Sequence, residues 1–375
     1  MAYEIRTLRE EEIPQLVDLL DLVFHPDGGW SMGDAFPTLV CPENLEQIRI
    51  LVDGGRIASH VGMTIRDVCL GGIPTTVVNI GGVATHPDHR GQGHATVLMA
   101  DAVQHARSRG ADIMLISGGR GLYRRMNAAD CGSFPTLQLS AEDVEAETLS
   151  ARRVQEEDLP IISDIRQREP VRYQLPMEDL KKLLRCGFAM AVPVEWWLFS
   201  EGERPVAFGV VAKEIRDGEA RARLIEWNGD AEALRSAWAT WHRELEVEKF
   251  DVVTVSNMNL PLAWRPRVRS HVSFEGTVLV LHAHRLLDRA KSWIAERLDT
   301  ATLNSLEIAA GETSVRFSLG DDTVQLNNGG ELAELFFGVA GRDVIGEKTS
   351  AGSPLESALR QLFPIPLVWY GLAFI

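Results

Sequence analysis

The chain has 375 residues, 45% of them hydrophobic, and a formal net charge of -15: enough apolar mass for two or three domains, and the wrong sign for general nucleic-acid binding, which needs a basic face. Cys41, Cys69, Cys131 and Cys186 are widely spaced and form no Cys-x-x-Cys pair, which predicts reduced thiols and implies no metal site. The start, Met1 to Arg6, lacks a signal-peptide core and no apolar run reaches membrane-spanning length, so the reading is a cytoplasmic protein with no membrane partner.

In chain order, Ile5 to Pro14 reads as a short strand, an acidic cap and the start of an apolar helix. Val77 to Val83 reads as a buried strand, and its pair Gly81–Gly82 predicts a bulge or the close approach of another backbone. Val83 to Ala95 then combines the end of that strand, a proline turn, a glycine-rich loop and the first turn of a helix. Gly91 and Gly93 can take backbone angles closed to other residues, so successive N–H groups can converge on an anion where the helix dipole is positive. Arg90 adds a fixed positive charge at the rim. Ala95, Leu98, Met99, Ala102, Val103 and Ala106 share one helical face, Gly110 ends the helix, and Asp112 to Ser117 is the next strand. The spacing fits neither a Walker loop nor a dinucleotide fingerprint, which excludes nucleotide hydrolysis as the leading function.

Beyond this unit, Ser117 to Met126 places three glycines after a strand and Tyr123 near the start of a helix. Ala151 to Pro160 repeats the pattern of Ile5 to Pro14, behind an acidic linker at Ser140 to Glu147. In this second copy the strand Arg223 to Trp227 leads to the helix carrying Trp238 and Trp241 without a glycine-rich loop, and both tryptophans read as core. Of the adjacent Trp196 and Trp197, at most one can line a pocket if they lie on a strand. From about residue 280 the pattern is an amphipathic helix over Leu286 to Leu298, a strand over Val315 to Leu319, a turn at Asp321–Asp322, a strand over Thr323 to Leu326 and a helical stretch over Leu332 to Gly338. Gln361 to Ile375 has no charged side chain, so this end of the chain is expected to be docked rather than frayed.

Arg90-x-x-Gly93-x-Ala95, with its strand and helix, resembles the acyl-coenzyme A loop of the GNAT N-acetyltransferase superfamily. The order of modules resembles the Eis-like (enhanced intracellular survival) enzymes. The resemblance implies an α/β (α+β) fold of tandem GNAT-like domains followed by a sterol-carrier-protein-like α+β domain. It divides the chain into a catalytic domain at 1–140, a degenerate second GNAT-like domain at 145–278, and the carrier-like domain at 279–375 with its tail entering the active site. Acetyl-CoA is the implied cosubstrate: Val83, Ala84 and Thr85 pair with its pantetheine arm, and Arg90, Gly91, Gln92, Gly93, His94, Ala95 and Thr96 hold the pyrophosphate. Ser117 and Gly118 open the cleft. Tyr123 takes the place of the general acid that protonates the departing thiolate, and the terminal carboxylate of Ile375 that of the base. Asp27 and Trp30 fall where such folds shape the acceptor site, although both residue types also suit turns and packing. Two departures stand out: Asn127 to Gly132 replaces the usual Gly-Phe, and Phe374 is penultimate where relatives end in an aromatic.

The function implied is transfer of acetyl from acetyl-CoA to a primary amine, on a small molecule or a lysine side chain, by direct attack and without a metal. The alternatives are a non-catalytic acyl-CoA or lipid-binding scaffold and a longer-chain N-acyltransferase. A closed homo-oligomer, of the ring-like hexameric kind, is expected from the resemblance.

Overall fold

The expected opening strand is Glu4–Thr7 (β1), and the acidic cap after it leads into the helix Ile13–Phe24 (α1). In the computed structural model, which describes residues 3–375, two compact units are present. The first comprises the chain up to Gly132 together with Phe274–Ile365 and Ile375; the second comprises Ser133–Ser273 and Pro366–Phe374.

The first unit continues with a short helix at Met32–Ala35 (α2), then the strands Arg49–Asp53 (β2), Arg56–Leu70 (β3) and Ile73–Thr85 (β4). Next come the helix His94–Ser108 (α3), the strand Ile113–Ser117 (β5) and the short helix Gly121–Arg125 (α4). The strands are ordered β1-β2-β3-β4-β5, followed by the strand Gly276–Val280, which pairs antiparallel with β5. Along this order the pairs are antiparallel except β4 and β5, which run parallel, and a parallel pair requires a crossover, which α3 provides. Leu98, Met99, Ala102 and Ala106 of α3 bury themselves against Met63, Val78, Ile80, Met114 and Ile116 of the sheet. Each large side chain so buried is worth roughly 1.5–3 kcal/mol. The bulge expected at the glycine pair is present. His60 faces Ala84 while Gly62 faces Gly81, so β4 carries one more residue than β3 between these pairs, and Gly82 has φ of 59°.

In the later part of this unit, the expected amphipathic helix is two helices, Ala283–Arg289 and Lys291–Arg297, separated at Ala290 with φ -85° and ψ 4°. A three-stranded antiparallel sheet follows, made of Glu307–Ala310, Val315–Leu319 and Asp322–Leu326, and then the helix Gly329–Phe337. Asp112, fully buried at the start of β5, accepts from the guanidinium groups of Arg285 and Arg289 and from the backbone N–H of Thr76 at 2.9 Å.

The second unit holds a seven-stranded sheet, which includes Phe134–Ser140 (β6) and Ser150–Arg153 (β7). It repeats the local start of the first: β7 is followed by a cap and the helix Leu159–Gln167 (α5). The same clasp closes both starts. Arg6 donates two hydrogen bonds of 2.7 Å to Glu12, whose carboxylate accepts from the Arg9 backbone at 3.0 Å. Arg152 donates to Asp158 at 2.5 and 2.6 Å, and Asp158 accepts from the Gln155 backbone at 2.9 Å. These pairings hold Glu12 and Asp158 below the usual carboxylate range. Trp238 and Trp241 are fully buried in the core, as read. Trp196 and Trp197 are both 3% exposed on the strand Glu195–Glu201, the first stacked on Phe208 and the second under Arg153. Among the described residues no helix is long and apolar enough to cross a membrane.

Candidate functional site

The site begins where the sheet of the first unit parts. The β4–β5 ladder pairs Val77–Ile80 with Ile113–Ile116 and ends there, yet β4 runs on to Thr85. Val83 and Ala84 are buried and Thr85 half-buried, and Ser59 Oγ fixes this extension with contacts of 2.9 Å to the Ala84 carbonyl and the Thr85 hydroxyl. Ser117 closes the end of the ladder by donating to the Ile80 carbonyl at 3.1 Å. Exposed Gly118, with φ of 91°, then turns the chain away. The result is a strand edge beyond Ile80 that β5 does not cover.

The loop follows directly. Pro87–His89 makes a single turn, and Gly91 and Gly93 have φ of 77° and 79°. A side chain at either glycine would meet no neighbour within 4 Å, so it is the left-handed backbone, not lack of space, that calls for glycine. Among the described residues, the N–H groups of Gly91 to Ala95 donate no hydrogen bond. Five successive free donors at the start of a four-turn helix are an arrangement suited to an anion. Arg90 is exposed beside it, its Nε 3.4 Å from the Thr85 carbonyl, and Thr96 is exposed while His94 is buried.

Tyr123 on α4 is 2% exposed and packs in the cluster that contains Val83, Met99 and Ile116. Burial raises its hydroxyl above the ordinary phenol value, with Arg120 pulling the other way. The phenol therefore keeps its proton at neutral pH. Arg120 also reaches the Val83 carbonyl at 3.4 Å. Ile375 is 3% exposed, and it lies on Gly81. A Cβ at Gly81 would overlap the terminal carboxyl of Ile375 and come within 2.9 Å of its Cγ1. Gly81 thus admits a close approach by another backbone, and Gly82 forms the bulge.

His60, which sequence reasoning missed, braces that bulge from β3. It is fully buried, and its Nδ1 lies 2.7 Å from the Gly82 carbonyl. A carbonyl can only accept, so Nδ1 carries a proton. Burial lowers its pKa to about 4.

Asp27 lies in an exposed turn before Gly28 and Gly29, and Trp30 packs on His25 at 3.9 Å and near Phe36 at 6.1 Å between ring centres. The strand end, the loop, Ser117 and Tyr123 are thus gathered around the parting of β4 and β5, with Ile375 on β4 as well. Asp27 and Trp30 are placed by the turn after α1 and its aromatic packing.

The matching position of the second unit is built differently. Its parallel strands Glu219–Gly229 and Lys249–Val253 are joined through the helix Ala233–Leu245. Here the N–H of Gly229 donates to Glu169 at 2.8 Å, that of Asp230 to the Val206 carbonyl at 3.0 Å and that of Glu232 to Asp230 at 2.9 Å. These donors are used internally and are surrounded by carboxylates.

Residues 4–129 match the family model of an acetyltransferase (GNAT) domain. Among solved structures the chain is similar to a GCN5-related N-acetyltransferase from Anabaena variabilis, with 14% identity, 98% of each chain covered and a TM-score of 0.66. It is also similar to a GCN5-related N-acetyltransferase from Kribbella flavida, with 15% identity over 100% of this chain and 98% of that one and a TM-score of 0.64. Eis1 from Mycobacterium abscessus aligns over 98% of this chain and 97% of its own, with 12% identity and a TM-score of 0.60. At such identities the likeness is one of fold. No curated protein matches the sequence.

Proposed function

We propose that this chain, whose residues 4–129 match an acetyltransferase (GNAT) domain, transfers acetyl from acetyl-CoA to a primary amine. The observation that carries this reading is the run of free N–H donors from Gly91 to Ala95, directly after a strand edge that β5 leaves uncovered. In the proposed complex the pyrophosphate takes the donors of the loop, and Val83 to Thr85 pair with the amide-bearing arm as an added strand. The amine attacks the thioester carbonyl, forming the C–N bond. The C–S bond then breaks, Tyr123 gives its proton to the sulfur, and the carboxylate of Ile375 accepts the proton lost by the nitrogen. The products are an acetamide and free coenzyme A. The phenol raised by burial and the carboxyl lying on Gly81 support these roles. Asp27 and Trp30 are proposed to face the acceptor. Residues 145–278 are read as a second GNAT-like domain without cofactor, supported by its internally used loop amides, and 279–375 as a carrier-like domain.

The test is release of coenzyme A thiol from acetyl-CoA over a panel of polyamines, aminoglycosides and lysine peptides. An amine-dependent rate is expected, and it should be lost when residues are appended after Ile375. Binding of acetyl-CoA with thiol release at background for every amine would instead make the chain a non-catalytic scaffold. Undiminished turnover in the extended protein would remove Ile375 from the base role.

A further inference from the structure

Three side chains from separate elements converge beside the glycine-rich loop. Asp53 ends β2 at a tight turn whose Gly54 and Gly55 have φ of 56° and 79°. His89 ends the turn after β4, and His94 is the first residue of α3. One ligand atom from each lies within 4.8 Å of the other two. Asp53 Oδ2 and His89 Nδ1 are 3.6 Å apart.

Hydrogen bonding does not account for this arrangement. His94 is 6% exposed, and among the described residues its Nε2 has no hydrogen-bond partner; His89 Nδ1 is likewise buried without one. An ion pair between a protonated His89 and Asp53 would answer for two of the three groups and leave the nitrogen of His94 unexplained. Buried polar atoms that stay unsatisfied are costly, on the order of 1–3 kcal/mol each. A metal ion resolves all three at once. Bonds of about 2.0–2.1 Å to a tetrahedral ion put neighbouring ligand atoms about 3.4 Å apart, close to the separation between Asp53 and His89. Two imidazoles and one carboxylate suit zinc, cobalt, nickel or copper rather than calcium or magnesium, which take oxygen ligands.

We propose that Asp53, His89 and His94 bind one divalent ion of the zinc class, which fastens the Arg90–Gly93 loop to the β2–β3 turn. This departs from the expectation of no metal site, which rested on cysteine spacing and a lack of motif. His89 and His94 flank the loop, so the ion fixes both of its ends, and its charge lies beside the free amides. Three protein ligands leave a fourth position for water. Metal and an anionic ligand at the loop should then strengthen each other's binding, as linkage requires. This coupling rests on the reading of the loop as the acetyl-CoA site; the metal site itself does not.

The experiment uses full-length protein without a polyhistidine tag, stripped with chelator and titrated with zinc chloride by calorimetry, with cobalt absorption reporting coordination geometry. One equivalent should bind, with a tetrahedral cobalt spectrum, and Asp53→Asn and His89→Asn should each weaken binding by about tenfold or more while melting as folded proteins. No saturable binding, or undiminished binding in both variants, overturns the site. Zinc should also raise acetyl-CoA affinity by about fivefold or more in the native chain and not in Asp53→Asn. Unchanged affinity overturns the clamp. Failure to bind acetyl-CoA with or without zinc counts against the proposed function, and the zinc titration, which needs no acetyl-CoA, still decides the metal site.

Discussion

Tyr123 can act as an acid only if it is protonated when the thiolate leaves, and its burial ensures this by raising the phenol above its ordinary value. Tyr123→Phe keeps the ring in its apolar cluster and deletes the proton. Turnover should fall by roughly 10²-fold while calorimetry finds acetyl-CoA affinity kept; equal turnover, with chemistry rate-limiting, would leave Tyr123 a packing residue. His60 presents the opposite case, a base that burial keeps neutral. Its pKa falls from 6.5 to about 4, so between these values the unfolded chain binds more protons than the folded one. Stability is then full above pH 6.5 and declines as pH drops towards 4, by roughly 3 kcal/mol at most. Urea midpoints across this range should slope accordingly, and His60→Gln should flatten part of the slope; an identical slope in the variant would rule out His60 as its source.

At the scale of elements, β4 and α3 carry the site because one strand outruns its parallel partner. Gly81 lies at the first position past the end of that ladder and under the carboxyl of Ile375. Gly81→Ala has to push that carboxyl away, so it should lower turnover by at least tenfold at nearly unchanged acetyl-CoA affinity, measured by thiol release and calorimetry. Wild-type turnover would show that the carboxyl is not needed where it lies. Most of this stretch is legible in the sequence. Two glycines in a strand, two more in a loop and a helical apolar face are local signals, and each describes a constraint on its own backbone. His60 is not legible, since a lone histidine in an apolar strand gives no hint of a carbonyl that sheet pairing brings to it from 22 residues away. Asp53, His89 and His94 escape for the same reason: their spacing matches no ligand motif, and only the hairpin turn and the loop bring them together. The break at Ala290 is equally hidden, because the apolar face continues across it.

For the molecule as a whole, Asp112 joins distant stretches of the first unit. It is fully buried, it takes Arg285 and Arg289 from the helix Ala283–Arg289, and its backbone carbonyl accepts from Leu281 at 2.8 Å. Asp112→Asn keeps the shape but leaves two guanidinium groups facing a neutral amide. A loss of roughly 3 kcal/mol in urea unfolding is expected, as for other broken buried pairs, and a change below about 1 kcal/mol would show that solvent replaces the partner. The net charge of -15 gives the molecule as a whole a field that repels anions. The amides of Gly91 to Ala95 and the side chain of Arg90 are a local exception. If those donors hold a pyrophosphate as proposed, small inorganic anions have the same use for them, and sulfate and phosphate buffers should compete for the loop. The choice of buffer then sets an apparent affinity, and values measured in different salts describe different competitions rather than different proteins.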